Sequence, residues 1–224
     1  MNRTQEELAA IPIPGGWNWQ TIELGDQRWR LLLPADGEAF LAEEATAERW
    51  PDPFWTEIWP AAKSLAALVL EHNWPANTSL LELGCGNGFV GLAALARGCN
   101  VTYSDYVPLA VELAVANARG NGYEQVRGEV LDWRNPAHES QYNTILASDV
   151  LYDPDLHEPL LDTLRATLSP RGLVWLGDPG RVECVEMFLR RAQDSSWRVN
   201  LFDSQRSECE SLVRGEFRLI VLLP

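Results

Sequence analysis

Two periods of apolar residues run along this chain, and the change from one to the other falls near Leu80. Ahead of it, "WQTIELGDQRWRLLLP" alternates as two short strands around Gly25-Asp26, a pair that suits a hairpin turn. "PFWTEIWPAAKSLAALVLEH" takes helical spacing after Pro60, because proline fits the first helical turn, where its missing N–H has no partner to lose. From Leu80 onwards strand-like runs, "SLLEL", "CNVTYSD", "VRGEVLDW", "YNTILASD" and "GLVWLGDP", alternate with helical stretches. The spacing predicts helices over Phe89–Arg97, Pro108–Gly120, Leu156–Leu168 and Val182–Gln193. Asp155, with Glu158 three residues later, is spaced as a helix-capping pair. Residues 1–16 read as a loosely packed arm, and "ADGEAFLAEEATAERWPDP" as an acidic loop with a helical turn.

Strands that alternate with helices imply a parallel sheet covered on both faces. "WRVNLFDS" and "EFRLIVLLP" follow one another without a helix, so they should be antiparallel neighbours at a sheet edge. The expected fold is α/β: a Rossmann-like, doubly wound sheet of seven strands, mostly parallel with an antiparallel C-terminal edge strand. Residues 1–52 form an N-terminal extension carrying the β-hairpin, and residues 53–224 the main domain.

Composition narrows the partners. The 224 residues suit one domain with a small extension. Lys and Arg total 18 and Asp and Glu 32, a formal charge of −14, which repels phosphate backbones and anionic membranes. Nucleic acid and membrane are therefore not expected as partners. No apolar run is long enough to span a bilayer, and "MNRTQEELAAIPIPGG" lacks the pattern of a secretory leader, so the expected location is cytoplasmic. Cys85, Cys99, Cys184 and Cys209 are too sparse for a disulfide framework and read as reduced thiols. His72, His138 and His157 are scattered without ligand spacing, so no metal is expected.

The chemistry centres on "LLELGCGNGFVGLAALA". Gly86-Asn87-Gly88-Phe89-Val90-Gly91 satisfies G-x-G-x-x-G, for which a dinucleotide is the first guess. A phosphate loop is excluded, because no Lys-Ser or Lys-Thr follows. Glu82, just before the turn, repels a pyrophosphate but suits a ligand with positive charge, and the sulfonium and ammonium of S-adenosylmethionine match it. Asp105 ends the second strand, where a carboxylate accepts from ribose hydroxyls; dinucleotide enzymes place an acid there too. Asp132 ends the third strand, where it can accept from an adenine amino group while Trp133 lies against the ring. Each has a plainer alternative: Asp105 as a helix cap, Trp133 as core.

With those residues in view, "LLELGCGNGFVGLAALARGCNVTYSDY" resembles the first two strand motifs of class I, seven-strand S-adenosylmethionine-dependent methyltransferases, from about Pro53 to the C-terminus. "PFWTEIWPAAKSLAALVL" and "ASDVLYDP" resemble segments of the protein lysine methyltransferases acting on chaperones, elongation factors, calmodulin and electron-transfer flavoprotein. Asp149 and Tyr152 carry that family's D-x-x-Y motif, and "LDW" matches its adenine-side motif. No N-P-P-Y appears, which argues against methylation of adenine or glutamine amino groups.

The resemblance implies S-adenosylmethionine as cofactor and a protein presenting a lysine as partner. It implies a donor site from Trp59, Glu82, Gly84, Gly86, Asp105, Asp132, Trp133 and Ser148, with Glu57 as a further candidate near the donor ammonium. Asp149 grips the acceptor amine, and Tyr152 accepts from it or walls it. The alternatives at this stage are a small-molecule N-methyltransferase of nicotinamide type and a donor-binding module without turnover. A dehydrogenase is the outsider, opposed by Glu82 and Asp132.

Overall fold

Strand β3 (Ser79–Leu83) is apolar on both faces, and the rest of the sheet is arranged to cover it. Leu80 enters the core cluster on one face, while Leu81 and Leu83 enter the cluster on the other. A strand of that kind needs helices above and below. The structure, a computed structural model, describes residues 3–39, 53–135 and 140–224. The acidic loop expected after the hairpin falls largely on residues 40–52, outside the described residues, as does His138.

After β3 come α3 (Phe89–Ala96), β4 (Asn100–Asp105), α4 (Pro108–Gly120), β5 (Arg127–Val130) and β6 (Tyr142–Ser148). Then follow α5 (His157–Thr167), β7 (Leu168–Asp178), α6 (Val182–Asp194), β8 (Arg198–Phe202), β9 (Glu208–Cys209) and β10 (Arg218–Leu223). Ahead of β3 lie α1 (Gln5–Ala9), the hairpin strands β1 (Trp17–Leu24) and β2 (Gln27–Pro34), a 3-10 turn (Pro53–Thr56) and α2 (Pro60–Glu71).

The main sheet has the order β5-β4-β3-β6-β7-β10-β8-β9, with β3 to β7 mutually parallel. The chain runs outward from β3 through β4 to β5 and then returns to β6 on the other side of β3. Connections therefore diverge from β3 in opposite directions, and a crevice opens at the carboxyl ends of these strands.

The α/β sheet, the hairpin and the antiparallel pairing of the last two long strands agree with the sequence. Two details differ. The sheet gains an eighth strand, β9, whose two residues are too short to leave a periodic signal. The final strand is not outermost: β10 slots between β7 and β8. Burial explains the choice. β10 buries Leu219, Ile220 and Leu222, whereas β8 carries Arg198 and Asn200 and stays half exposed.

The N-terminal segment is not a loose arm. Thr4 and Glu7 form a reciprocal capping box that starts α1, and Leu8 is fully buried. The T-x-x-E signature was present in the sequence. Hairpin residues Trp29, Leu31 and Leu33 join the same core cluster as α2 and α3, with the Trp29 ring edge-on to Phe89 at 5.8 Å. The Asp155–Glu158 cap does not form either. Pro154 starts a 3-10 turn one residue earlier, so Asp153 becomes the cap and accepts from the Asp155 amide.

One buried amide ties these parts together. Asn117 of α4 has no exposure. Its Oδ1 accepts from Gln5 Nε2 at 2.8 Å and from the Leu32 amide at 2.9 Å. Its Nδ2 donates to the carbonyls of Leu32 and Asn87, both at 3.1 Å. Asn117→Leu strands these partners without water, at about 1–3 kcal/mol for each group left unsatisfied. We expect a thermal midpoint lower by about 10 °C or more; a melt that superimposes on the wild type would show that the contacts are dispensable.

Candidate active site

The turn from β3 into α3 is built from backbone that side chains would obstruct. Gly86 has φ 49°, and a Cβ there would lie 3.1 Å from the Trp55 carbonyl oxygen. Gly91, in the first turn of α3, lies so close to the Tyr103 ring of β4 that an added Cβ would fall 2.2 Å from it. The first glycine lets the chain turn, and the second lets helix and strand close up. Asn87 fastens the turn to the preceding segment, its Nδ2 donating to the Glu57 carbonyl at 2.9 Å.

Three acids stand around this turn with different duties. Glu82 shares a face of β3 with Leu80 and is 3% exposed. Its Oε2 accepts from the Gly91 amide at 2.7 Å, which clamps strand to helix. Burial pushes its pKa up to about 8, with the Asp105 charge adding to the rise and the Gly91 and Val90 amides opposing it. Glu82 is thus largely protonated at neutral pH. The charge assigned to it from sequence is corrected accordingly: a carboxyl this deeply buried sheds its charge.

Asp105 ends β4, with Oδ2 accepting from the Gly86 amide at 3.1 Å and Oδ1 from the Val107 amide at 3.0 Å. It lines the cavity, and the helix that follows, with Val107 at its N-cap, has no side-chain cap. Asp132 follows β5 and pairs with Arg134 at 2.9 Å, which lowers its pKa. Trp133 lies beside Gly84, its ring 3.6 Å from where a Cβ would stand.

The other end of the crevice is made by β6 and the segment before α2. Asp149 adopts φ 61°, unusual for a residue with a side chain, and is 7% exposed. Burial raises its pKa, while the Arg181 guanidinium, 2.5 Å away, opposes that rise. Tyr152, Phe54 and Trp59 stand at the mouth with edge-to-face rings, Phe54–Tyr152 at 5.6 Å and Phe54–Trp59 at 6.0 Å. The Trp59 indole N–H donates to the Phe54 carbonyl at 2.8 Å, which fixes that ring.

All ten residues singled out from sequence (Trp59, Glu82, Gly84, Gly86, Asp105, Asp132, Trp133, Ser148, Asp149 and Tyr152) line one cavity of about 310 Å³. Among the described residues its lining holds the carboxyl groups of Glu57, Asp105, Asp132, Asp149 and Asp153, the buried acid Glu82, and one cation, Arg134, which is paired with Asp132. A pyrophosphate would meet carboxylates here, whereas a phosphate-free, positively charged ligand fits. The sequence reading missed Phe54, Asn87, Tyr106 and Arg134 in the lining, and Arg181 behind it. Asn87 lay inside the glycine motif and Phe54 beside the quoted tryptophans, so both had a local signal. Arg181 had none, since only the fold brings it to Asp149.

The buried acid gives a pH test. A carboxyl whose pKa is raised by folding binds its proton more tightly in the folded state, so its contribution to stability falls as pH rises between the unfolded value, near 4.5, and about 8. Glu82→Gln keeps an acceptor for the Gly91 amide but does not ionise. Its melting temperature should decline less than that of the wild type from about pH 5 to pH 8. Parallel curves would mean that Glu82 is already ionised.

Comparison with known proteins follows the same lines. The profile of a lysine methyltransferase family matches residues 46–195. EEF1A lysine methyltransferase 3 of Mus musculus is 32% identical over 157 residues, covering 67% of this chain and 66% of that protein. Protein N-lysine methyltransferase METTL21A of Xenopus tropicalis is 32% identical over 138 residues, covering 59% and 64%. The chain thus spans slightly less than two thirds of the length of these relatives. Among solved structures, the ribosomal protein L11 methylase of Lactobacillus delbrueckii subsp. bulgaricus shares the fold, with TM-score 0.60 and 16% identity over 90% of this chain and 97% of that one.

Proposed function

The chain belongs to the lysine methyltransferase family, and from that premise we propose that it moves a methyl group from S-adenosylmethionine to a lysine side chain of a protein. The observation that carries the proposal is the cavity: acids around a glycine turn, opening through aromatic rings beside Asp149. The donor supplies a methyl group made electrophilic by a positively charged sulfur. The protein's part is to bind, orient and exclude water.

Asp105 would take the ribose hydroxyls, its carboxylate held at the end of β4 by the Gly86 and Val107 amides. Asp132 and Trp133 would serve the adenine, one by accepting from its amino group and the other by lying along its face. Gly84 and Gly86 let backbone come close. Trp59 walls the methionine end, Glu57 and Ser148 complete it, and Glu82 holds the turn from beneath.

A free lysine titrates near 10.4, so the acceptor must pass a proton to solvent before its nitrogen bonds the methyl carbon, the carbon–sulfur bond breaks and S-adenosylhomocysteine leaves. The rim of Phe54, Trp59 and Tyr152 strips water from the approaching amine, which favours its neutral form. Asp149 orients the amine at the end of β6, with Tyr152 alongside. Relatives are named for EEF1A, and a chain of net charge −14 suits a target lysine on a basic surface. We place the reaction in the cytoplasm, where Cys85, Cys99, Cys184 and Cys209 remain the free thiols they are here.

The test uses tritiated donor with purified elongation factor 1A and with whole-cell lysate. Label should appear on protein, at lysine by mass spectrometry. Label found only on filterable small molecules would move the activity to a small amine, and donor binding without any transfer would leave a binding module. Asp149→Asn should keep donor affinity and lose roughly 30- to 1000-fold in rate. Asp105→Asn should weaken donor binding by about tenfold, read by calorimetry; an unchanged constant would remove Asp105 from the ribose.

A further inference from the structure

Asp149 lines the cavity with both carboxylate oxygens buried, and its counter-charge lies outside the lining. Arg181 is absent from the lining and reaches Asp149 Oδ1 from the residue that precedes α6, at 2.5 Å. Arg181 is itself held in place. Its Nη1 lies 3.2 Å from Asp178 Oδ2, and Asp178 Oδ1 accepts from the amides of Gly180 at 2.7 Å and Arg181 at 2.8 Å. Asp178 ends β7 and is 1% exposed. A chain of charge therefore runs from Asp178 through Arg181 to Asp149, from the sheet to the acceptor end of the cavity. Beside Arg181, the Ala61 amide is the further donor close to the Asp149 carboxylate. A buried carboxylate in that position stays ionised only beside a fixed positive charge.

We infer that Arg181 is a positioning residue for methyl transfer, keeping Asp149 ionised and aimed so that the arriving amine meets a fixed anion. The inference rests on the lysine-methylation reading given above. The charged and polar groups around Asp149 come from several elements: Arg181 before α6, Asp178 from β7 and the Ala61 amide from α2. Glu57, Tyr152 and Asp153 line the same cavity. With Arg181 neutralised, Asp149 and Asp178 repel each other without compensation. Asp149 then holds its proton to higher pH, and an ammonium in the site does the same.

The test compares the full-length wild type with Arg181→Met and Arg181→Lys, and with Arg181→Gln as a second neutral replacement should Met impair folding. Carboxyl-¹³C aspartate labelling gives a titration for Asp149, assigned by the signal that Asp149→Asn removes. The neutral replacements should raise the Asp149 midpoint by roughly one pH unit or more, and Lys should restore most of it. Methyl transfer from tritiated donor to lysate protein should show its acid limb displaced by the same amount, with unchanged affinity for S-adenosylhomocysteine. An unmoved midpoint overturns the inference, and so does a rate that drops equally at every pH. Because the titration needs no acceptor, a wild type that transfers nothing would overturn the methylation reading, and the role assigned to Arg181 with it, while still showing whether Arg181 governs Asp149.

Discussion

The side-chain amide of Asn117 is the contact on which the arrangement of the molecule turns. It has two donors and two acceptor sites, and all four are used in a seam closed to water. Through them it joins α1, the hairpin and the glycine turn. Asn87 passes the connection on to the Glu57 carbonyl, which brings in the segment that carries Trp59. The N-terminal extension and the wall of the cavity are thus parts of one hydrogen-bonded unit. Apolar packing alone would not fix that registry, since Leu and Ala surfaces slide at little cost. A buried amide with four partners admits one placement.

A second constraint is the conflict between burial and charge around the cavity. The crevice at the strand ends is where acids collect, yet the same crevice is walled by the core. Glu82 resolves the conflict by holding its proton and serving as a clamp. Asp105 resolves it with two backbone amides, and Asp132 with Arg134 at the exposed rim. Asp149 resolves it with Arg181. These four carboxyl groups in one pocket therefore sit in four different electrostatic environments. The fold itself does not select among these uses, since the same sheet serves many reactions; the side chains do.

What the sequence determined by itself was most of what has a local period. The capping motifs were determined less well: Asp153 rather than Asp155 caps, and Thr4 with Glu7 starts a packed helix. The alternation around β3, the helices after β3, β4, β6 and β7 and the Gly25-Asp26 turn are written in neighbouring residues, because dihedral preference and one-face burial act over a few positions. Nine of the ten cavity residues were legible for a related reason: they sit at or just after strand ends, and a parallel sheet gathers strand ends at one edge, while Trp59 comes from the segment before α2. The tertiary structure alone decided the partners. Gln5 and Asn117 are 112 residues apart in sequence, and Asn87 and the Glu57 carbonyl are 30 apart. Arg181 meets Asp149 only because β7 lies beside β6, and β10 takes an inner place only because it is the more apolar of the last two long strands. Ionisation was decided there too. Glu82 reads as an anion in sequence and is a neutral clamp in the fold, because its charge depends on how much water is left around it.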